Sequence, residues 1–281
     1  MLRTFITFVG IAAMVVGLPV VVLHGIASSS EKMNVFSNWI TENFNVPVHN
    51  VEIGNGEEDS ISMPMGTQLA ILCSTLQDIH ELSQGFDFIG MSQGGLLARG
   101  YVEQCNKPAV RNLITMVSPH GGVFLEFPPA GMYIQKIQES VSFSNYWRDP
   151  DNLLSYTLLC SYLPVINNER YTDLYSTQII NMLNLTNFQM IWSPVDGVLK
   201  PAESAKFSFL DKEGRIIPLN QSELYKSDYI GIRHLDETGR LRINQTTCTH
   251  VEHRDPVCFG QLEPILASLL TSGQTWPDHS Q

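Results

Sequence analysis

Phe86-Asp87-Phe88-Ile89-Gly90-Met91-Ser92-Gln93-Gly94-Gly95 is the stretch on which the reading of this chain turns. The run from Phe86 to Ile89 has the composition of a short buried strand, and Leu96-Leu97-Ala98-Arg99 opens a helical pattern. Between them lies Gly-Met-Ser-Gln-Gly, a G-x-S-x-G sequence in a strand–turn–helix setting. Such a turn holds its serine on a strained corner with the hydroxyl exposed, so Ser92 is the candidate nucleophile. Gly90 and Gly94 have no Cβ to keep strand and helix apart. The amide of Gln93, at the helix start, points toward an oxygen that gains negative charge during reaction.

Working outward, residues 20–23 form a Val-rich strand that runs into His24-Gly25-Ile26-Ala27-Ser28. In a chain with such an elbow, this strand end is the place for a second oxyanion donor, the backbone amide of Ile26. A helix is expected over 34–41, a strand over 46–53, an acidic irregular stretch over 54–65 and an amphipathic helix over 66–82. Residues 110–117 form another apolar strand, which ends at Ser118-Pro119-His120-Gly121-Gly122. This alternation of strand and helix indicates a mostly parallel sheet covered by helices.

From 124 to 185 the alternation stops, and short helices at 134–144, 153–162 and 171–185 are split by prolines and Asn-Asn pairs. An insertion there is suited to cover the site, either as a satellite core or as a trough for an acyl chain. Residues 188–192 resume the sheet and deliver Asp196 in a turn. Edge or irregular elements follow at 207–210 and 215–218, then a short helix or turn at 227–235. Leu241-Arg242-Ile243 begins a last strand that leads to His250 and His253. Residues 264–270 belong to a closing helix, and 271–281 form a flexible tail.

The 281 residues carry a formal charge of −11 with a pI near 5.1, which excludes a general nucleic-acid binder wanting a basic face. With 43% hydrophobic and 16% charged residues, the composition is that of a folded chain. Residues 1–17 place one arginine before an apolar segment of signal-peptide length. The run continues through Leu18-Pro19-Val20, so a membrane anchor is the competing reading; Pro19 and the valines fit the start of a buried strand better. No later stretch is long and apolar enough to span a bilayer. Cys73, Cys105, Cys160, Cys248 and Cys258 show no Cys-x-x-Cys spacing, which argues against structural zinc. Asn184-Leu-Thr186, Asn220-Gln-Ser222 and Asn244-Gln-Thr246 are sequons that a secretory route makes usable.

The chain order Ser92, Asp196, His250 is nucleophile, acid, base, as in α/β-hydrolases. His253 is the near competitor for the base, and Asp173 and Asp211 are less well placed acids. Because the base should follow the acid, His120-Gly121-Gly122 reads as a loop beside the site mouth.

On these residues the chain resembles the palmitoyl-protein thioesterases, a lysosomal α/β-hydrolase family. The matching segments include Val22-Leu23-His24-Gly25-Ile26, Val51-Glu52-Ile53-Gly54, Gly90-Met91-Ser92-Gln93-Gly94-Gly95, Tyr146-Trp147-Arg148-Asp149-Pro150, Ile166-Asn167-Asn168-Glu169-Arg170 and residues 236–241. They spread over roughly 18–270 in the family's order. The resemblance implies an α/β-hydrolase domain over 18–270, with 124–185 as a lid-like helical insertion lining an acyl groove. It carries the catalytic roles to Ser92, Asp196 and His250, and the oxyanion amides to Ile26 and Gln93. It pairs Cys73 with Cys105, and in one branch Cys248 with Cys258. It further implies hydrolysis of long-chain acyl thioesters through an acyl-serine, with no cofactor or metal, in the lysosome after secretory entry, or outside the cell. The expected partner is an S-acylated protein or peptide, met by a monomer with no nucleic acid and no stable membrane span in the mature chain. Departures are Ala27, where the family commonly has an acidic residue nearby, Gly197 after the candidate acid, and the insertion itself. A lipase or general carboxylesterase would share the triad, and an acyl-binding protein would keep the groove without it.

Overall fold

The computed structural model describes residues 17–125 and 131–270; the expected leader, apart from Gly17, and the tail at 271–281 lie outside the described residues. Six strands form one parallel sheet in the order β2-β1-β3-β4-β5-β8. They are β1 (Val20–Leu23), β2 (Val48–Val51), β3 (Phe86–Met91), β4 (Val110–Met116), β5 (Asn187–Trp192) and β8 (Leu241–Gln245). A separate antiparallel hairpin pairs β6 (Phe209–Leu210) with β7 (Ile216–Ile217). Strands buried on both faces are mostly apolar, and β1 and β3 are buried throughout, with Asp87 of β3 paired to Arg111 of β4.

Alternation along β1 sends its residues into two layers of core. Val21 and Leu23 pack with α3 (Met65–Asp78) and α4 (Gln93–Gln104). Val20 and Val22 pack with α1 (Asn34–Phe44) and α11 (Pro256–Leu270). On that second face, Trp39 stacks on Phe259 with ring centroids 4.2 Å apart, joining α1 to α11. The register aligns the carboxyl ends: Leu23 lies opposite Gly90, Met91 opposite Met116, Met116 opposite Ile191, and Trp192 opposite Gln245. Every loop carrying a candidate site residue therefore leaves the sheet along one edge, where parallel sheets bind their ligands.

Two regions differ from the sequence expectation. The acidic stretch is not irregular throughout, because α2 (Glu57–Ser62) forms there with Glu57, Glu58 and Asp59 in its first turn. Carboxylates are favourable at that end of a helix, a signal that hydrophobic periodicity does not register. The insertion is broken into shorter pieces, α5 (Gln135–Gln138), a 3-10 turn at Ser142–Tyr146, α6 (Leu153–Leu159), α7 (Leu163–Ile166) and α8 (Tyr175–Leu183). The short helix or turn expected at 227–235 is a turn leading into α10 (Ile232–Glu237), with α9 (Glu223–Lys226) just before it. The insertion shares the main core through Tyr146, Tyr156, Tyr162, Leu163, Ile166 and Met182, while Leu154, Leu158 and Leu159 stay exposed. Disulfides join Cys73 to Cys105 and Cys248 to Cys258, leaving Cys160 buried as a thiol. Among the described residues, no helix is long and apolar enough to cross a membrane.

The helix behind Ser92 is locked to the insertion by a fully buried ion pair. Arg99 Nη1 donates to Glu103 Oε1 at 2.9 Å and to the Ile166 carbonyl at 2.9 Å, and Nη2 donates to Asn167 Oδ1 at 2.8 Å. Gln178 and Asn181 on α8 donate to the Glu103 carboxylate and backbone carbonyl at 3.3 and 3.1 Å. Burial pushes the Glu103 carboxyl up to about 7, against the pull of Arg99 and Gln178. A carboxyl raised in the folded state binds protons more tightly there, so its contribution to stability is lost as pH rises through the window from about 4.5 to about 7. Urea unfolding across that window should therefore show wild type losing stability relative to Glu103→Gln as pH rises, by on the order of 3 kcal/mol. A constant difference between the two proteins would refute the linkage.

Candidate active site

Ser92 sits between β3 and α4 at φ 55° and ψ −126°, a conformation that L-residues avoid and that projects its side chain from the corner. The turn closes only because three neighbours are glycine. A Cβ on Gly90 would meet the Gly94 carbonyl oxygen at 2.5 Å, one on Gly94 would meet the His24 oxygen at 2.3 Å, and one on Gly95 would meet Ser118 Oγ at 1.8 Å. Gly25 is held as closely, since its Cβ would lie 2.8 Å from that of Ser92. The 25–26 peptide thus lies against Ser92. Among the described residues, the Ile26 amide has no hydrogen-bond partner, and the Gln93 amide, first in α4, has none within its helix. Two free donors beside the serine are what an oxyanion site requires.

The Gln93 side chain is anchored independently of its amide. Its Nε2 donates to the Ser60 carbonyl at 2.8 Å, and its Oε1 accepts from the Tyr146 hydroxyl at 3.0 Å. The elbow helix start is thereby fixed to α2 and to the Tyr-Trp-x-Asp-Pro segment of the insertion. Sequence reasoning gave Gln93 only its amide and Tyr146 no site role; the glutamine within the elbow was the available signal.

Asp196 follows β5. Its Oδ1 accepts from the amides of Val198 and Leu199 at 2.8 and 3.0 Å, and its Oδ2 meets His250 Nδ1 at 2.7 Å. Burial opposes its ionisation, but the His250 hydrogen bond and charge and the two amides hold the carboxyl below its ordinary range. An acid so placed fixes the ring's orientation and leaves Nε2 for proton transfer. Among the described residues, no hydrogen bond joins the Ser92 hydroxyl to His250; such contacts are often loose in a ligand-free site and tighten with substrate.

The two competing histidines are both enclosed. His253 is fully buried, with Nε2 on Thr246 Oγ1 at 2.8 Å and Nδ1 on the Thr249 carbonyl at 2.9 Å. Both ring nitrogens are occupied in holding the loop that carries His250, and burial lowers its proton affinity. His120 lies in the turn that follows β4, where Ser118 packs against Gly95 of the elbow, but its side chain does not reach the mouth. Its ring is fully buried, stacked on Phe207 at 4.6 Å, with Nε2 on Thr115 Oγ1 at 2.9 Å. Burial, helped by the charge of Arg99, keeps it neutral. Asp211 pairs with Arg215 at 2.7 Å on the exposed hairpin, outside the Asp196–His250 pair.

Comparison with known proteins fits this geometry. The family model for palmitoyl protein thioesterase matches residues 19–250. The chain belongs to that family. It is 37% identical over 248 residues to palmitoyl-protein thioesterase 3 of Dictyostelium discoideum, covering 84% of this chain and 86% of that protein. It is 31% identical over 249 residues to the lysosomal thioesterase PPT2 homolog of Drosophila melanogaster, covering 84% and 85%. Among solved structures, a monoacylglycerol lipase of Paleococcus ferrophilus superposes with a TM-score of 0.54 at 16% identity, covering 90% of this chain and 93% of that one. The likeness places the fold among the α/β-hydrolases. Membership and fold together make the chain an enzyme, a hydrolase of the thioesterase type.

The two neighbouring histidines give the site a direct check. His250→Ala should cost about 10²–10⁴-fold in kcat. His253→Ala should cost under about tenfold in kcat per folded molecule, while lowering thermal stability through the emptied, unpaired Thr246 site. The opposite ranking would move the base to His253.

Proposed function

We propose that this protein removes long-chain fatty acyl groups, palmitoyl in particular, from the cysteines of proteins or peptides, with Ser92 as nucleophile. The observation that carries the reading is the joint arrangement at one sheet edge: a strained serine beside two free amides, and an Asp196–His250 pair 2.7 Å apart. Ser92 Oγ attacks the thioester carbonyl carbon, and His250 Nε2 accepts the hydroxyl proton. The amides of Ile26 and Gln93 receive the carbonyl oxygen as it becomes negative. As the C–S bond breaks, the proton passes to the departing sulfur, leaving an acyl-serine. Water, deprotonated by the same histidine, then attacks the ester and frees Ser92 with release of the fatty acid.

The insertion at 124–185 supports an apolar acyl group, because α6 leaves Leu154, Leu158 and Leu159 exposed beside the catalytic core. A cleft of about 600 Å³ runs there, lined by Pro64, Thr67, Tyr133, Leu158 and Leu159 among others. Ser92 is not among its lining residues, which also include Gln135, Gln138 and Glu139, so the cleft does not define the reaction centre. The lysosome, reached by the secretory route, is the proposed location. Two disulfides support passage through the secretory route, and the lysosomal name of the Drosophila relative supports that assignment. Monomeric action is part of the same proposal.

Hydrolysis of palmitoyl-cysteine peptides and matched palmitoyl oxygen esters tests the reading. Higher kcat/KM for the thioester, abolished by Ser92→Ala, is expected. Shortening the acyl chain should lower kcat/KM by up to about fourfold per methylene, at about 0.8 kcal/mol each. Preference for the oxygen ester would transfer the protein to the lipases, and activity surviving in Ser92→Ala would remove the nucleophile.

A further inference from the structure

The turn that offers the Ile26 amide contains Ala27 at φ 51°, a conformation that costs energy for a residue with a side chain. Something must hold that turn against relaxation: Lys32 Nζ donates to the Ala27 carbonyl at 3.3 Å, and a second tether is Glu52, just beyond β2. One carboxylate oxygen, Oε2, accepts from the Ser30 amide at 2.8 Å and the Ser30 hydroxyl at 2.9 Å. The other, Oε1, lies 2.5 Å from His24 Nε2 and accepts from the Ile53 amide at 3.2 Å. His24 is buried, and its Nδ1 lies 2.9 Å from the Gly25 carbonyl oxygen. The backbone folds tightly around the carboxylate: a Cβ on Gly56, at φ 66°, would lie 2.9 Å from Oε2.

We propose that Glu52 is a positioning residue of the oxyanion site, its carboxylate clamping both ends of the 24–30 turn and so fixing the direction of the Ile26 amide. It does not touch the substrate; it acts through His24 and Ser30. The clamp reaches across from β2 to the strand that bears the turn, so a local turn motif would not replace it. Burial opposes ionisation of Glu52, yet the Ser30 donors, the His24 ring and the Ile53 amide hold its carboxyl below the usual range. The charged form is therefore the one present while the clamp is closed. Arg254 closes the far side, donating from Nη1 to Ser28 Oγ at 3.0 Å, so the turn is also tied to the segment that carries His250.

The inference rests on the assignment of Ser92 and the Ile26 amide. An oxyanion tether differs from a merely structural contact in what it alters: affinity for a tetrahedral, negatively charged adduct falls, and affinity for a planar ground-state ligand does not. The test measures steady-state thioester hydrolysis, inhibition by an alkyl boronic acid and binding of free palmitate for wild type, Glu52→Gln, Ser30→Ala and Ser92→Ala. Glu52→Gln keeps length and shape but loses the charge, and should lower kcat about tenfold with KM within about twofold. Boronate affinity should fall by a similar factor and palmitate binding should hold. Ser30→Ala, which removes one hydroxyl, should shift the same quantities in the same direction by a smaller factor and stands in if Glu52→Gln does not fold. Unchanged kcat and boronate affinity in the folded variants would overturn the role of Glu52 while leaving Ser92 in place. Full turnover by Ser92→Ala would instead overturn the site assignment and the inference with it.

Discussion

A serine held at φ 55° is the constraint from which the rest of this structure follows. That backbone conformation costs on the order of 1–3 kcal/mol and persists only where the surroundings over-determine it. The surroundings here are backbone atoms. Gly90, Gly94 and Gly95 let β3, α4 and the end of β1 approach to distances at which any Cβ would collide, and Ser118 closes the space over Gly95. Val117, at φ 45°, shows that the adjoining strand end is bent as well. The corner is thus fixed from three sides, which keeps the hydroxyl and the Gln93 amide in one relation without help from ligand.

With Ser92 fixed, the register of the parallel sheet carries Asp196 and His250 to the same edge. With the ends of β1, β3, β4, β5 and β8 aligned, each loop needs only a short reach. The longest is the one that carries His250, and it has the most internal restraint. Cys248 is bonded to Cys258 on α11, His253 plugs its base through Thr246 and Thr249, and the Thr249 amide donates to Glu252 at 2.7 Å. Orientation of a general base within fractions of an ångström governs catalytic rate more steeply than its strength does, so restraint belongs there.

The sequence made the sheet legible because parallel strands buried on both faces are apolar runs, and those runs alternate with helical periods. The elbow turn at Ser92 was legible from its glycines, and the meeting of Asp196 with His250 was expected from their place after strands in a fixed chain order. Distinguishing His250 from His253 was beyond periodicity, since both lie in one loop; the difference is that Asp196 meets one ring and Thr246 the other. The burial of the His120 ring was hidden for a related reason. A histidine followed by two glycines looks like a mouth loop, but Phe207, which stacks on it, comes from a segment almost ninety residues away in the sequence and carries no local mark of the contact. Glu52 and Tyr146 sat inside motifs that were noticed, yet their partners at Ser30 and Gln93 are long-range pairs that one sequence cannot display.

The polar network explains how an insertion of irregular helices can be accurate enough to serve a catalytic core. Apolar burial alone is non-directional and would tolerate several placements of α7 and α8 against α4. Arg99 removes that freedom, because its planar guanidinium meets a carboxylate, a main-chain carbonyl and a side-chain carbonyl at fixed angles, over the Phe207 ring at 4.9 Å. Leaving any one of those partners unpaired in the interior is costly, so the arrangement is selective even where its net contribution to stability is small. The same helix begins at Gln93, whose side chain is held by Ser60 and Tyr146. Insertion and elbow serine are therefore referenced to one rigid element, and the exposed leucines of α6 lie outside this polar network.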